Sequence, residues 1–381
     1  MRILFYTTVY PDEEGSLGGI FIHNQAVALQ KAGHSIAVLY VDFRSLRKKR
    51  KFAFSEYVLE GIKVYRYAFP CGPVFPLIDA VGTMLTENTY KRVIKIFGKP
   101  DIIYAHFGGS AKHILKTVKT HSIPLVLLEH DSGMLTGKIE KQRLKERKTA
   151  YNESAAVIAV STALKNKMQG LTNNTVEVIP NIIPDYMFEY KDLPKKANLS
   201  DFLFISVGNL IKSKSFDLTI TAFANVVQKH RNAKLIIVGE GPEEDGLRKL
   251  VNELGIKDKV DFKGKISNRD LANLLNICDC FVLPSKFETF GVVYIEAMAC
   301  GLPVIATRCG GPDEFINSKN GILVPVDDLV ALSNAMIDVA KRNEYEYEYL
   351  RNFAYNLSSE QAVIHKLERI FKYVIDRNNK N

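Results

Sequence analysis

Residues 281–303 read FVLPSKFETFGVVYIEAMACGLP and hold one complete crossover unit of a parallel sheet. An apolar strand, Phe281 to Leu283, runs into a polar loop, and Gly291 then opens a helix that is apolar on most of its surface. Cys300-Gly301 ends the helix and Pro303 begins the next strand. In such units ligands bind beyond the carboxyl ends of the strands. The free N–H groups of Phe290, Gly291, Val292 and Val293 offer an anion site at the helix start, and Gly291 lets a phosphate approach the backbone closely. Glu288 and Glu296 bracket that site. Two carboxylates cannot share an anion's position, so they read as acceptors for hydroxyl groups on either side of it. A sugar joined through phosphates to a ribose carries hydroxyls in both places. Taken singly, each glutamate also fits a solvated loop or a helix position paired with a lysine.

The whole chain sets the frame. Its 381 residues suffice for two domains, each with its own core. With 46% hydrophobic and 24% charged residues, the composition is that of a globular protein. No apolar run is long enough to span a membrane. The opening MRILFYTT reads as a first buried strand rather than a signal peptide. Five cysteines, with one Cys278-x-Cys280 pair and no CxxC, exclude a disulfide framework and a zinc site; reduced thiols and a cytoplasmic location are expected. Residues 1–190 carry 25 Lys+Arg against 17 Asp+Glu, and the rest 26 against 25. The excess positive charge therefore sits in the first half and points to an anionic partner there, such as a membrane surface, an acidic glycan or nucleic acid.

The first half alternates strands and helices, as an open α/β sheet does. Strands are expected at Arg2–Tyr6, Ser35–Val41, Gly61–Tyr67, Asp101–Ala105, Pro124–Leu128, Ala156–Val160 and Val176–Ile179. Several are continuous apolar runs, the pattern of buried parallel strands. Helices are expected at Ile20–Lys31, Leu77–Phe97, Ser110–Thr120 and Ile139–Ser154. Gly18 and Gly19 precede the first helix and permit close approach of a ligand to its N-terminus. Glu129-His130-Asp131 follows a buried strand, where a site residue would sit.

Pro184–Ser200, rich in Lys, Pro and Asn, reads as a linker. The pattern then restarts: a strand, Phe202–Val207, runs into Gly208-Asn209, then Lys212 and Lys214, and a helix begins at Phe216. A lysine beside a helix start is a natural phosphate ligand. Val238-Gly-Glu-Gly-Pro242 and Gly264-Lys265-Ile266 end later strands, and the first reads equally well as a tight turn. Helices at Leu329–Ala340 and Glu360–Ile375 close the chain.

These motifs, in this order over nearly the whole chain, resemble the retaining GT-B glycosyltransferases of glycosyltransferase family 4. Glu288-TFGVVYI-Glu296 matches that family's E-x7-E signature, and Ile-Pro-Asn181 and Val238-Gly-Glu-Gly-Pro242 are further landmarks. The resemblance implies two Rossmann-like domains facing across a cleft. Their spans would be 1–185 for the acceptor domain and 201–358 for the donor domain, with a helix in 359–381 packing back on the first. It implies that His130 and Glu288 contact the transferred sugar and Glu296 the ribose. Gly18, Gly19, Asn209, Lys214, Ile266, Phe290, Gly291, Val292 and Val293 would surround the rest of the donor. The family's Gly-Arg-Leu and Lys-Gly are here Gly208-Asn209-Leu210 and Lys214-Ser215, so one charge of the diphosphate clamp is absent.

The expected reaction moves a hexose-type sugar from a UDP- or GDP-sugar to an acceptor hydroxyl with retention, in polysaccharide or glycolipid synthesis. The acceptor would be a glycan or lipid-linked molecule. No metal or other cofactor is expected, since the chain contains no Asp-x-Asp. Rival readings are a sugar-nucleotide epimerase or hydrolase of the same fold, and a basic membrane-binding protein without catalysis. Arg44–Lys51, the segment from Phe69 to Ile78, and Tyr90–Phe97, with Val93, Ile94 and Phe97 on one face, are the stretches expected at an anionic membrane surface. No RNA-binding motif is visible, and no nucleic-acid partner is expected.

Overall fold

The computed structural model describes residues 1–12, 18–43, 52–70, 75–189, 202–341 and 345–380. The chain divides into two compact units, Met1–Ile182 with Glu360–Asn381, and Ile183–Ser359.

The first unit is built on eight strands: β1 Arg2–Thr7, β2 Ser35–Phe43, β3 Ala53–Leu59, β4 Ile62–Phe69, β5 Ile102–His106, β6 Leu125–Glu129, β7 Ala156–Ala159 and β8 Val176–Val178. Their order is β3-β4-β2-β1-β5-β6-β7-β8. Every pair is parallel except β3 with β4. All five residues of β5 and of β6 are buried, which is why these segments are apolar on both faces. From β1 the chain first builds outward through β2 and β4, then returns to the other side at β5. The order therefore reverses between β1 and β5, where a doubly wound sheet opens a crevice.

The helix Glu360–Lys380 belongs to this unit. Val363, Ile364, Leu367, Ile370, Phe371 and Val374 are buried at helical spacing, and Phe371 meets Tyr104 edge-on at 5.1 Å. Lys31 and His34 bond Glu360 and Glu368, each at 2.8 Å.

The structure departs from the sequence reading in three places here. Strand β3 was not anticipated: its edge position leaves most residues at least partly exposed, so the apolar signal is weak. The single helix expected at Ser110–Thr120 is two pieces, Gly108–Ala111 and Leu115–His121. On the helix Phe75–Phe97, Val93 is fully buried and faces inward, so it cannot share an outer face with the cations. The outer face instead carries Met84, Lys91, Arg92, Lys95 and Ile96. Arg44–Lys51 and residues 71–74 lie outside the described residues.

The second unit has six strands: β9 Phe202–Val207, β10 Ala233–Val238, β11 Val260–Gly264, β12 Cys280–Leu283, β13 Val304–Thr307 and β14 Gly321–Val324. They pair in parallel in the order β11-β10-β9-β12-β13-β14. Here the order reverses between β9 and β12. Gly239, at φ 134°, lies so close to the Gly208 carbonyl oxygen that a Cβ would stand 1.9 Å from it; one on Gly241 would stand 2.3 Å from that of Leu210. These glycines of the Val238–Pro242 motif bring two strand ends together. A helix at Tyr347–Ser358, absent from the sequence reading, packs on Val292–Ala299.

Part of the segment read as linker is ordered on the second unit. Asp185–Met187 forms a 3-10 turn, Ile183 donates to the Ser358 carbonyl at 2.8 Å, and Arg351 donates to the Phe188 carbonyl. The remainder, residues 190–201, lies outside the described residues.

Candidate active site

In the second unit, the reversal point joins the two residues that matter most in the sequence reading. After β9 the chain makes a 3-10 turn, Lys212–Lys214, and enters the helix Phe216–Lys229. After β12 it carries Ser285 and Glu288. The Lys214 ammonium donates to Glu288 Oε1 at 2.5 Å, and the Ser285 hydroxyl donates to the same oxygen at 2.7 Å. Both ions are largely removed from solvent, so the pair is stronger than a surface salt bridge.

Neighbouring backbone holds this loop in place. Glu288 N–H donates to the Cys309 carbonyl at 3.2 Å, and Gly311 N–H to the Glu288 carbonyl at 2.9 Å. Lys286 N–H donates to the Ser213 carbonyl at 2.8 Å, and the Thr307 hydroxyl to the Ser285 carbonyl. A Cβ on Gly311 would come within 2.5 Å of Phe290 Cα. Three loops, after β9, β12 and β13, thus converge on Glu288.

Ser215 stands where a glycine was the expected family residue, and the structure shows why glycine suits the position. Ser215 has φ 51° in the left-handed region, it is buried, and its hydroxyl has no partner among the described residues. The chain tolerates a conformation that costs roughly 1–2 kcal/mol for a residue with a side chain.

The helix Val292–Ala299 starts from Gly291 at φ 87°. A Cβ there would meet the Tyr294 ring at 2.6 Å, so the position is closed to side chains. Phe290 is buried, while Val292 and Val293 are half-buried at the first turn. Glu296 is half-buried on the same helix. Among the described residues no hydrogen-bond or ion-pair partner of its carboxylate is found, and burial pushes its pKa up to about 7. A desolvated carboxylate without a partner is suited to hydroxyl donors from outside the chain.

Asn209 is exposed beyond β9. Ile266 is half-buried beyond β11, two strands from β9 and so roughly 10 Å away at normal strand spacing. The structure brings Lys214 into contact with Glu288, while among the described residues no hydrogen bond joins Asn209 or Ile266 to that pair.

Gly18, Gly19 and His130 stand in the first unit. Gly19, φ 77°, caps the helix Ile20–Lys31; a Cβ would fall 2.7 Å from the Val9 carbonyl oxygen. Gly18 beside it is exposed. His130 is buried just past β6, with Phe21 at 4.5 Å and Phe107 at 5.4 Å between ring centres. Burial pushes its pKa down to about 3, so the ring is neutral at pH 7. Its Nε2 lies 3.1 Å from Nδ1 of His106, which burial, and then His130 itself, likewise holds well below the usual range.

The loop around His130 is set by a fully buried carboxylate. Glu129 accepts from the N–H of Gly108, His130 and Asp131 at 2.9, 3.0 and 3.0 Å, and from the Tyr151 hydroxyl at 2.6 Å. Sequence reasoning missed the roles of His106, Ser285 and the Glu129 hub. His106 ends a buried strand and His130 directly follows one, so the same signal could have found it. Ser285 leaves no such mark.

Comparison with known proteins follows this geometry. Residues 190–357 match the family profile described as Glycosyl transferases group 1, and residues 18–185 that described as Glycosyltransferase Family 4. An uncharacterised glycosyltransferase of Methanocaldococcus jannaschii is 30% identical over 348 residues, covering 85% of each chain. The chain belongs to the group 1, family 4 glycosyltransferases. The N-acetyl-alpha-D-glucosaminyl L-malate synthase of Bacillus anthracis is 28% identical, over 100% of this chain and 99% of its own length. The structure of Anabaena HepE in complex with UDP and glucose superposes with a TM-score of 0.74 at 20% identity, covering 98% of this chain and 99% of that one. This glycosyltransferase therefore has the GT-B fold, two Rossmann-like α/β domains with parallel sheets.

The Glu296 titration gives a testable pH effect. An unfolded glutamate titrates near ~4.3, whereas the folded group titrates at about 7. Between those values the unfolded chain is the more ionised, so this group's contribution to stability falls as pH rises and levels off above about 7. Melting temperatures of the wild type and Glu296→Gln from pH 4.5 to 8 should therefore diverge, the variant gaining relative stability with pH. A constant difference would show that Glu296 is not desolvated.

Proposed function

We propose that this glycosyltransferase moves a hexose-type sugar from a UDP- or GDP-sugar to an acceptor hydroxyl with retention of configuration. The Lys214–Glu288 contact at the strand-order reversal, with Glu296 on the next helix unpartnered among the described residues, is the observation that carries this reading. The second unit would hold the donor. Its diphosphate would take the N-terminus of the Val292–Ala299 helix, displacing Glu288 from Lys214 and taking the lysine's charge for itself. Glu296 lies ~7 Å along the helix from Gly291 and would receive the ribose hydroxyls. Ile266, at the end of β11, would lie toward the base, and Gly18, Gly19 and Asn209 would complete the donor's surroundings.

Glu288, freed from Lys214, would accept hydroxyls of the transferred sugar, and neutral His130 from the first unit would hydrogen-bond that sugar without adding charge. The anomeric carbon–oxygen bond to the diphosphate breaks as the acceptor oxygen bonds to the same face. The acceptor proton leaves with the departing diphosphate. Lys214 and helix N–H groups would stabilise that leaving group without a metal, so transfer should persist in EDTA. The complex of Anabaena HepE with UDP and glucose supports a nucleotide-sugar donor on this fold.

The two glutamates have separable roles. Glu296→Gln should weaken bare UDP or GDP by about 1 kcal/mol, the difference between charged and neutral acceptors. Glu288→Gln should keep that affinity or raise it, since Lys214 loses its internal partner, while kcat falls by roughly two orders of magnitude. Calorimetry beside turnover measures both. Loss of nucleotide binding in Glu288→Gln with retention in Glu296→Gln would reverse the donor's direction.

We also propose that the basic first half meets anionic lipid, in keeping with a role in cell-surface glycan or glycolipid synthesis. The outer face of the Phe75–Phe97 helix supports this with exposed Met84, Lys91, Arg92, Lys95 and Ile96. Among the described residues no helix is long and apolar enough to cross a membrane, so the contact would be peripheral. Sedimentation with vesicles should require anionic lipid and weaken with salt, each basic residue near the surface adding ~1 kcal/mol. Binding indifferent to lipid charge would refute it.

A further inference from the structure

The first unit holds a cavity of about 350 Å³ beside the His130 loop, lined by the end of β2, the loops beyond β1, β5 and β6, and the helices Phe75–Phe97 and Lys141–Glu153. Its apolar wall is formed by Val9, Phe43, Ile78 and Phe107. Phe107 is held at φ 67°, a conformation disfavoured for a side-chain-bearing residue, with its ring against both this space and His130. The other wall is charged, and the way those charges are paired decides what can enter.

Among the described residues, each cation on that wall is already matched. Lys112 donates to Asp79 and, at 2.7 Å, to Glu146. Arg147 donates to Asp131 and has Glu129 3.8 Å away. Arg143 pairs with Glu140 at 3.7 Å. His113 is neutral, its pKa pushed down to about 4 by burial and then by Lys112. Lys112 and Arg147 thus stand between two carboxylates each, and four carboxylates answer two cations. A second anion would meet repulsion from acids that already hold the available positive charge. Hydroxyl groups would meet the opposite situation, because Asp79, Asp131 and Glu146 retain free lone pairs for O–H donors. Phe43 and Phe107 offer surfaces for the C–H face of a ring.

We infer that this cavity is the acceptor site and that it takes an uncharged, hydroxyl-rich ring such as a hexoside, in preference to a carboxylate or phosphate acceptor. The inference rests on the transfer activity proposed above. It also limits what the first half's positive charge can mean, because the cations inside the cavity are matched by their own neighbours.

The test uses the full chain with three probes: methyl β-D-glucopyranoside, L-malate and glycerol 3-phosphate. Saturation-transfer NMR and competition titrations would report binding to the wild type, Glu146→Gln and Asp79→Asn. The wild type should bind the hexoside in preference to both anions. Each variant should lose hexoside affinity by roughly tenfold or more, the effect of one charge-assisted hydrogen bond. Each should also gain affinity for malate or glycerol 3-phosphate, since Lys112 is left with one partner. A merely structural role for these carboxylates would not produce that exchange of preference. Preference of the wild type for either anion, absence of hexoside binding, or hexoside binding unchanged in both variants would overturn the assignment. UDP and GDP affinity measured on the same samples keeps the outcomes separate: intact nucleotide binding beside a failed hexoside result rejects the cavity and leaves the transfer reaction standing.

Discussion

One ammonium and one carboxylate, Lys214 and Glu288, meet at 2.5 Å where the sheet of the second unit changes direction. The contact depends on topology before it depends on either residue. Strand β9 builds β10 and β11 on one side, and the chain must return to its other side to lay down β12. The loops beyond β9 and β12 are therefore neighbours in space although 74 residues separate their charged members. Burial makes the pair strong, and only a ligand that offers Lys214 an equally good partner can part it. A diphosphate is such a ligand, and sugar hydroxyls can then take the released carboxylate.

The two sheets use the same device for different chemistry. The second unit presents a cation, helix N–H groups and an unpartnered glutamate, which together suit phosphate flanked by hydroxyls. The first unit presents two neutral histidines, of which His130 is packed by Phe21 and Phe107 and positioned through the Glu129 hub. A neutral imidazole can hydrogen-bond a sugar without attracting or repelling its phosphate. Burial, rather than any charged neighbour, keeps His130 in that state.

Much of this was legible in the chain because buried parallel strands are apolar on both faces. Arg2–Thr7, Ile102–His106 and Phe202–Val207 announce themselves, and the glycines before their helices mark the ligand ends. The edge strand Ala53–Leu59 escaped notice because one side of it has nothing to bury against. The linker reading of Pro184–Ser200 followed composition, while tertiary hydrogen bonds, one accepted by the Ser358 carbonyl and one donated by Arg351, order residues 183–189 on the second unit. At the site, motif residues such as Glu288, Glu296 and His130 could be named from sequence. The partners Ser285 and His106, and the doubly paired Lys112 of the cavity wall, could not, because they are ordinary residues until the chain folds. The left-handed Ser215 was visible only as a departure from glycine, and its backbone angle supplies the reason.

The central claim is that Lys214 supplies the one side-chain charge that holds the donor's diphosphate, Asn209 standing where the family motif has an arginine. Calorimetric titration of UDP and GDP into the wild type, Lys214→Ala and Asn209→Ala tests it most directly. The account predicts a loss of roughly 1.5–3 kcal/mol in Lys214→Ala, the range for a hydrogen bond to a charged group, and a smaller loss in Asn209→Ala. Nucleotide affinity unchanged in Lys214→Ala would contradict the placement of the donor.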